Sequence, residues 1–165
     1  MQQERTLASS KDVLNLVLSF FSRVDAKASV VLAVNTGMLG YLAAHWPPHN
    51  SVRWWDTIAP VVTGAFLVPS YWSLYKCSFP DLKGGEGSLI YFREIAKRTE
   101  NKFVDGFLAQ EESDYVKDVL GQAWRNSVIL GKKFDHLKLA LIFLALAILP
   151  WMIALADFAR MAGRP

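Results

Sequence analysis

The chain has 165 residues, of which 52% are hydrophobic and 20% charged, and its formal net charge at pH 7 is +3. A single domain is expected at this length, and the small basic excess argues against a nucleic-acid-binding protein, which usually carries a denser basic patch. The one cysteine, Cys77, excludes an internal disulfide framework. The apolar residues are clustered into long segments, as is typical of a membrane protein.

The first apolar segment continues an amphipathic one. Residues 1–9 are polar and are expected to fray, and Ser9 or Ser10 is a suitable helix cap. Residues 10–27 place apolar side chains at helical spacing, and residues 28–46 contain no Asp, Glu, Lys or Arg. A helix of about 19 residues is roughly 28 Å long, close to the thickness of a bilayer core. The sequence predicts one continuous helix from about residue 10 to 46, with residues 28–46 in the membrane.

Two further apolar segments follow. Pro47–Pro48 is predicted to end the first helix, and residues 58–75 and 139–156 are a second and a third membrane span. Residues 76–136 between them are soluble in character. They include two short amphipathic helices and the sequence GGEG at residues 84–87, which is predicted to be a flexible linker.

The last helix is predicted to begin near Glu111 or Glu112 and shows the most regular pattern in the chain. Its apolar and small residues alternate steps of four and three, as in a coiled-coil seam: Val116, Leu120, Ala123, Ser127, Leu130, Phe134, Leu137 and Leu141. Two interpretations are open, packing within the monomer and a coiled coil between subunits.

The distribution of Lys and Arg predicts the orientation in the membrane. The connection from residue 47 to 57 carries only Arg53, whereas residues 76–138 carry eleven such residues. Cytoplasmic loops carry the excess of basic residues. We therefore expect an all-α membrane protein with three transmembrane helices, a cytoplasmic N-terminus, a cytoplasmic helical region at 76–136 and long helices continuous from cytosol into lipid.

Catalytic and metal-binding patterns are not found in the sequence. His45 and His49 are separated by Pro47–Pro48, which breaks the helical face that a metal site would need, and His136 belongs to the other side of the membrane. There is no phosphate-binding glycine loop and no catalytic constellation. We expect neither a metal, a cofactor nor an enzymatic activity.

Two groups of residues are candidates for binding and assembly. In the first group, cationic side chains could bind the phosphate of a nucleotide while an aromatic ring stacks on its base. Such residues are more often solvated or near lipid headgroups. The group consists of Arg93, Lys97, Arg98, Trp124, Arg125 and Asn126. The second is a small-residue stripe in the first span with a polar neighbour, suited to packing within the monomer or to a self-association face that lines a pore: Ala33, Asn35, Gly37, Gly40 and Ala44. A third group, Arg23, Asp25 and Lys27, marks the predicted joint where a signal would pass into the membrane.

Three stretches together resemble a known family. FSRVDAKASVVLAVNTGMLGYL, SLIYFREIAKRT and DYVKDVLGQAWRNSVILGKKFDHLKLA, followed by a last span, resemble the transmembrane effectors of Pycsar antiphage systems (PycTM-like) in order, spacing and layout, over about residues 12–155. The resemblance implies a bacterial inner-membrane protein that responds to a cyclic pyrimidine nucleotide, cUMP or cCMP, by impairing the membrane and killing the infected cell.

Two functional hypotheses follow. In the first, an oligomeric effector binds the cyclic nucleotide through its cytoplasmic helices and repacks or opens the membrane bundle. In the second, a non-conducting membrane scaffold recruits a partner through those helices. Expected partners are the lipid bilayer, the nucleotide and further copies of the chain, but not nucleic acid.

Overall fold

A computed structural model describes residues 2–46, 54–80 and 85–162, leaving aside the side chains of Gln3 and Ala162. In these ranges every regular element is a helix and no strand occurs. The elements are α1 (Gln2–Ala44), a short 3₁₀ helix (Trp54–Thr57), α2 (Ile58–Ser78), α3 (Phe92–Ile95), α4 (Glu100–Leu108) and α5 (Glu112–Ala162). The predicted all-α class is confirmed.

The chain divides into two compact units. Unit 1 comprises Met1–Arg23 and Pro80–Lys132, and unit 2 comprises Val24–Phe79 and Lys133–Pro165. The long helices α1 and α5 each contribute one segment to unit 1 and one to unit 2. The assignment of 76–136 to the cytoplasm, and the boundaries of the predicted spans, stay predictions.

Helix α1 begins at Gln2, well before the predicted start near residue 10. Ser10 is buried and does not cap the helix, because its hydroxyl donates to the carbonyl of Leu7 one turn back at 2.8 Å. The expected fraying of residues 1–9 is therefore wrong for the residues described. At the other end, the amide of His45 still bonds to the carbonyl of Tyr41 at 3.1 Å. Pro47–Pro48 lies outside the described residues.

Unit 2 is held together by three helices. The buried residues of α1 alternate four and three apart, the spacing of one face of a helix packed at a shallow angle: Val24, Ala28, Val31, Asn35, Met38 and Leu42. Helix α5 buries a comparable face: Lys133, Leu137, Ala140, Leu144, Ala147, Ala154 and Phe158. Leu42 of α1, Ala59 of α2 and two residues of α5, Ala154 and Phe158, form one apolar cluster.

The predicted seam on α5 is only partly buried. Ala123, Leu130 and Leu137 are buried and Val116 is half-buried, but three large residues of the seam are exposed: Leu120 (44%), Phe134 (40%) and Leu141 (45%). The buried positions lie one residue earlier instead, at Val119, Lys133 and Ala140. Because α5 is apolar on more than one face, periodicity alone did not select the buried one. Packing within the monomer thus accounts for only part of the seam, and its exposed residues lie on the surface of this chain.

The glycines before α3 form a tight turn. Gly85 is buried and has φ +80°, and Gly87 has φ +76°. A Cβ at Gly85 would lie 3.0 Å from the ring of Tyr91 and 3.1 Å from the side-chain nitrogen of Gln122. The prediction of a flexible linker is therefore wrong for residues 85–87, since a positive φ and close packing both require glycine at residue 85. Gly84 lies outside the described residues.

Within the described residues, two helices are long and apolar enough to cross a bilayer. They are Trp54–Ser78 and Glu112–Met161. In the most apolar 18-residue stretch of each helix, only 33% and 22% of the stretch, respectively, is buried. A core helix of a soluble protein would be mostly buried, so this exposure favours contact with lipid. These helices contain the predicted second and third spans. The first predicted span, in α1, stays a prediction.

Candidate functional site

A hydrogen-bonded turn in unit 1 is centred on Ser88. The hydroxyl of Ser88 donates to Asp118 Oδ2 at 2.9 Å and accepts from the amides of Ile90 (3.1 Å) and Tyr91 (3.0 Å). Gln122 Nε2 donates to the same hydroxyl oxygen at 3.0 Å. Asp118 and Gln122 are four residues apart and share one face of α5. The network therefore fixes the turn before α3 on that face of α5.

Two of the predicted nucleotide-binding cations adjoin this turn. Arg98 Nη2 donates to the carbonyl of Gly87 at 2.6 Å. Arg125 Nη2 lies 3.8 Å from Asp118 Oδ1, and its buried Nε has no hydrogen-bond partner among the described residues. The turn thus brings Arg98 and Arg125 near the same short segment, and in both cases a group of the fold already faces the cation.

A third predicted cation, Lys97, forms an ion pair with Glu94. The second carboxylate oxygen of Glu94 accepts from the amide of Gly87 at 3.2 Å. The hydrogen bond from Lys97, followed by that from Gly87, lowers the pKa of Glu94, and the same carboxylate raises the pKa of Lys97. Both groups therefore remain charged over the whole neutral range.

The other three predicted residues have different surroundings. Arg93 is exposed and lies 6.0 Å from the ring centre of Phe92. Trp124 is 69% exposed, and Asn126 is half-buried. The six residues do not form one cluster by these contacts, so their joint role in nucleotide binding stays a prediction.

The small-residue stripe in the first predicted span lies on the surface of unit 2. Ala33, Gly37, Gly40 and Ala44 are exposed, and a Cβ at either glycine would meet nothing within 4 Å. Asn35 lies on the buried face instead, where its Nδ2 donates to the hydroxyl of Ser70 at 2.8 Å.

The three residues of the predicted joint also differ in their contacts. In unit 1, the guanidinium of Arg23 lies 5.0 Å from the ring centre of Phe20. In unit 2, Asp25 accepts a hydrogen bond from the buried Lys133, while Lys27 is exposed. Their role in passing a signal stays a prediction.

The described residues contain no group of three His, Cys, Asp or Glu side chains that could hold a metal ion. The ring of His45 stacks on that of Tyr41, with 4.0 Å between centroids. His49 lies outside the described ranges.

An open groove in unit 1 lies between the beginning of α1 and the beginning of α5. Its larger lobe has a volume of about 740 Å³ and is lined by Gln2, Arg5, Thr6, Ser9, Ser10, Val13 and Leu120. A smaller lobe of about 520 Å³ shares Gln2 and Thr6 with it and is otherwise lined by Glu112, Ser113, Val116 and Lys117. Both volumes lie within the usual range for small-ligand sites.

Comparison with models of known protein families identifies a match over most of the chain. A model described as the Pycsar effector protein domain, PycTM, matches residues 10–158. The chain belongs to the PycTM family. This confirms the resemblance found in the sequence and makes the chain a membrane effector of antiphage defence, in a family associated with cyclic pyrimidine nucleotide signalling. No curated protein and no solved structure gave a match.

The groove is the feature of this PycTM protein that sequence reasoning missed. Its α1 side, Gln2, Thr6, Ser9 and Val13, recurs at spacings of four, three and four, which is a helical stripe. The stripe is mostly polar, and hydrophobic periodicity therefore did not reveal it. The buried Ser10 shows that this beginning of the chain is packed against the rest of unit 1.

Proposed function

We propose that this PycTM protein binds cUMP or cCMP directly through unit 1 and then impairs the bacterial inner membrane. The infected cell dies before phage are released. In this proposal the protein is a multi-pass homo-oligomer with three spans and a cytoplasmic N-terminus, and it acts without catalysing a reaction. The family match over residues 10–158 supports the antiphage role from which the proposal begins.

The observation that carries the proposed mechanism is the continuity of two helices. Both α1 and α5 run without interruption from unit 1 into unit 2. A ligand that favours one arrangement of these helices in unit 1 would bias their arrangement in unit 2, because an α-helix transmits displacement along its axis. The ligand must bind one state more tightly than the other, since equal affinity for both shifts nothing.

The test is nucleotide-dependent leakage. The full-length protein is inserted into liposomes that contain a fluorescent dye, and release is measured with cUMP, with cCMP, with cAMP and without nucleotide. The proposal predicts release with at least one pyrimidine nucleotide and none with buffer alone. Inserted, folded protein that binds a pyrimidine nucleotide without releasing dye would instead favour the non-conducting scaffold.

A further inference from the structure

The groove between α1 and α5 in unit 1 combines the groups that an anionic, partly apolar ligand requires. Arg5 supplies a guanidinium, the side chains of Gln2, Thr6 and Ser9 supply polar groups, and Val13 with Leu120 supplies an apolar surface. Guanidinium groups bind phosphate through paired hydrogen bonds. Apolar side chains bury the ring of a ligand while a few polar groups fix its orientation.

The two lobes of the groove differ in charge. No carboxylate is found among the described residues that line the larger lobe, whereas Glu112 lines the smaller one. The cation of the smaller lobe, Lys117, donates to Asp114 at 2.8 Å and has a raised pKa because of that contact. An anion is therefore better placed in the larger lobe, where Arg5 lies.

We infer that the larger lobe binds the cyclic pyrimidine nucleotide, with its phosphodiester on Arg5 and its ring against Val13 and Leu120. This assignment rests on the proposed function, which supplies the ligand class. The helical register supports it: Gln2, Thr6, Ser9 and Val13 lie on one face of α1, so the polar and apolar ends of the lobe follow each other along a single helix.

Three of the four cations predicted from the sequence are less suitable than Arg5. Lys97 is paired with Glu94, and Arg98 is bonded to the carbonyl of Gly87. Arg125 retains an unsatisfied Nε, but the carboxylate of Asp118 lies beside it and would repel an incoming phosphate. Ligand binding there would require part of the Ser88 turn to rearrange first.

Binding of cUMP and cCMP to the full-length protein in lipid nanodiscs, measured by calorimetry, tests the inference. Arg5→Ala removes the cation, and Ser9→Trp fills the lobe. The matched controls are Ala8→Trp, which adds the same side chain at the adjacent exposed position outside the groove lining, and Lys102→Ala, which removes an exposed cation elsewhere in unit 1. Circular dichroism establishes that each variant is folded.

We expect Arg5→Ala and Ser9→Trp to weaken binding by at least about tenfold, while both controls bind within about twofold of the wild type. Arg5→Lys keeps the charge but loses the planar fork of the guanidinium, so its affinity should lie between those of the wild type and of Arg5→Ala. If Arg5→Ala does not fold, Arg5→Lys tests the role of this side chain in its place.

Other results would overturn the assignment. Wild-type affinity in both groove variants would place the nucleotide elsewhere and leave the proposed function intact. A change of oligomer size in Ser9→Trp with unchanged binding would show that the groove receives another copy of the chain. A wild-type protein that binds neither nucleotide would remove the assignment together with the proposed direct response.

Discussion

Asn35 donates a hydrogen bond to Ser70 inside unit 2, and Ser70 donates in turn to the carbonyl of Ala140, at 2.8 and 2.9 Å. Asn35 belongs to α1, Ser70 to α2 and Ala140 to α5, so two hydrogen bonds connect three helices. Asn35 and Ser70 are fully buried, and Asn35 Oδ1 has no partner among the described residues. In a membrane such polar contacts replace water as hydrogen-bond partners for buried groups.

A double-mutant cycle measures this connection. Ser70→Ala should destabilise the protein more than Asn35→Ala, because it leaves the whole Asn35 amide buried without a partner, whereas Ser70 can still reach Ala140 in the second variant. We expect a coupling of about 0.6 kcal/mol, and at most about 1.7 kcal/mol. The measurement is unfolding by SDS in mixed micelles. Additive effects of the two substitutions would show that the hydrogen bond contributes no stability.

The ion pair between Lys133 and Asp25 gives a second prediction. Lys133 is buried, so removing the carboxylate in Asp25→Ala leaves a buried ammonium with less compensation. We expect a loss of about 1.5 kcal/mol of unfolding free energy, the low end of the range for hydrogen bonds to charged groups, because Asp25 is half exposed to screening.

The control for this pair is Lys132→Met, which removes the adjacent exposed lysine on α5 and should change stability by less than about 0.5 kcal/mol. The exchange Asp25→Lys with Lys133→Asp should recover part of the loss. Thermal melts in detergent check all four proteins. The prediction fails if Asp25→Ala and Lys132→Met melt at the same temperature.

The sequence predicted the all-α class and the start of α5, but not the start of α1, because the signals for the first two are local. Uncharged segments, acidic residues near Glu112 and helical spacing gave the all-α class and the start of α5. Selection of the buried face was harder. Val119 and Leu120 are adjacent and both apolar, so helical spacing alone could place either of them on the buried face. Tertiary packing decides that Val119 is buried and Leu120 exposed.

Predictions about sites depended on contacts that a sequence does not encode locally. Arg98 and Arg125 are 27 positions apart, yet both adjoin the turn at Ser88, because that turn is bonded to Asp118 on α5. The groove was missed for a related reason. It pairs the polar beginning of α1 with Leu120, and the polar side gives no hydrophobic signal.

Gly85 and Gly87 allow a matched test of the turn before α3. Both have positive φ, so alanine at either position incurs a backbone cost of about 1–2 kcal/mol. At Gly85 the added Cβ also meets Tyr91 and Gln122, whereas at Gly87 it meets nothing within 4 Å. We expect Gly85→Ala to be clearly the less stable variant in thermal unfolding. Equal melting temperatures would mean that the packing around Gly85 adjusts without cost.

The pair formed by Glu94 and Lys97 predicts a pH dependence. Because the pKa of Glu94 is lowered, its carboxylate contributes fully to folding stability at any pH above the ordinary pKa of a carboxyl group. That contribution is lost as the pH falls through the lowered pKa. Because the pKa of Lys97 is raised, its contribution is lost only as pH rises through that raised pKa in strong base. The contact is therefore constant across neutral pH.

An NMR titration of the Gly87 amide follows this pair directly, since that amide donates to Glu94. We expect the amide shift to change with a midpoint below the ordinary pKa of glutamate, and Glu94→Gln to abolish the change. A midpoint at or above the ordinary value would contradict the described hydrogen bonds.

The exposed stripe of unit 2 predicts where copies of the chain meet. Gly37 and Gly40 lie open on α1, so Gly37→Leu should not destabilise the monomer and should gain up to about 1 kcal/mol of helix propensity. If α1 helices of different copies pack through this stripe, the larger side chain separates their backbones. We therefore expect a smaller oligomer in light scattering and loss of nucleotide-dependent dye release.

Gly64→Leu on α2, where a Cβ also meets nothing within 4 Å, is the matched control and should keep both properties. If Gly37→Leu keeps both properties as Gly64→Leu does, the stripe is excluded as an association face, because the added bulk is then tolerated in both places.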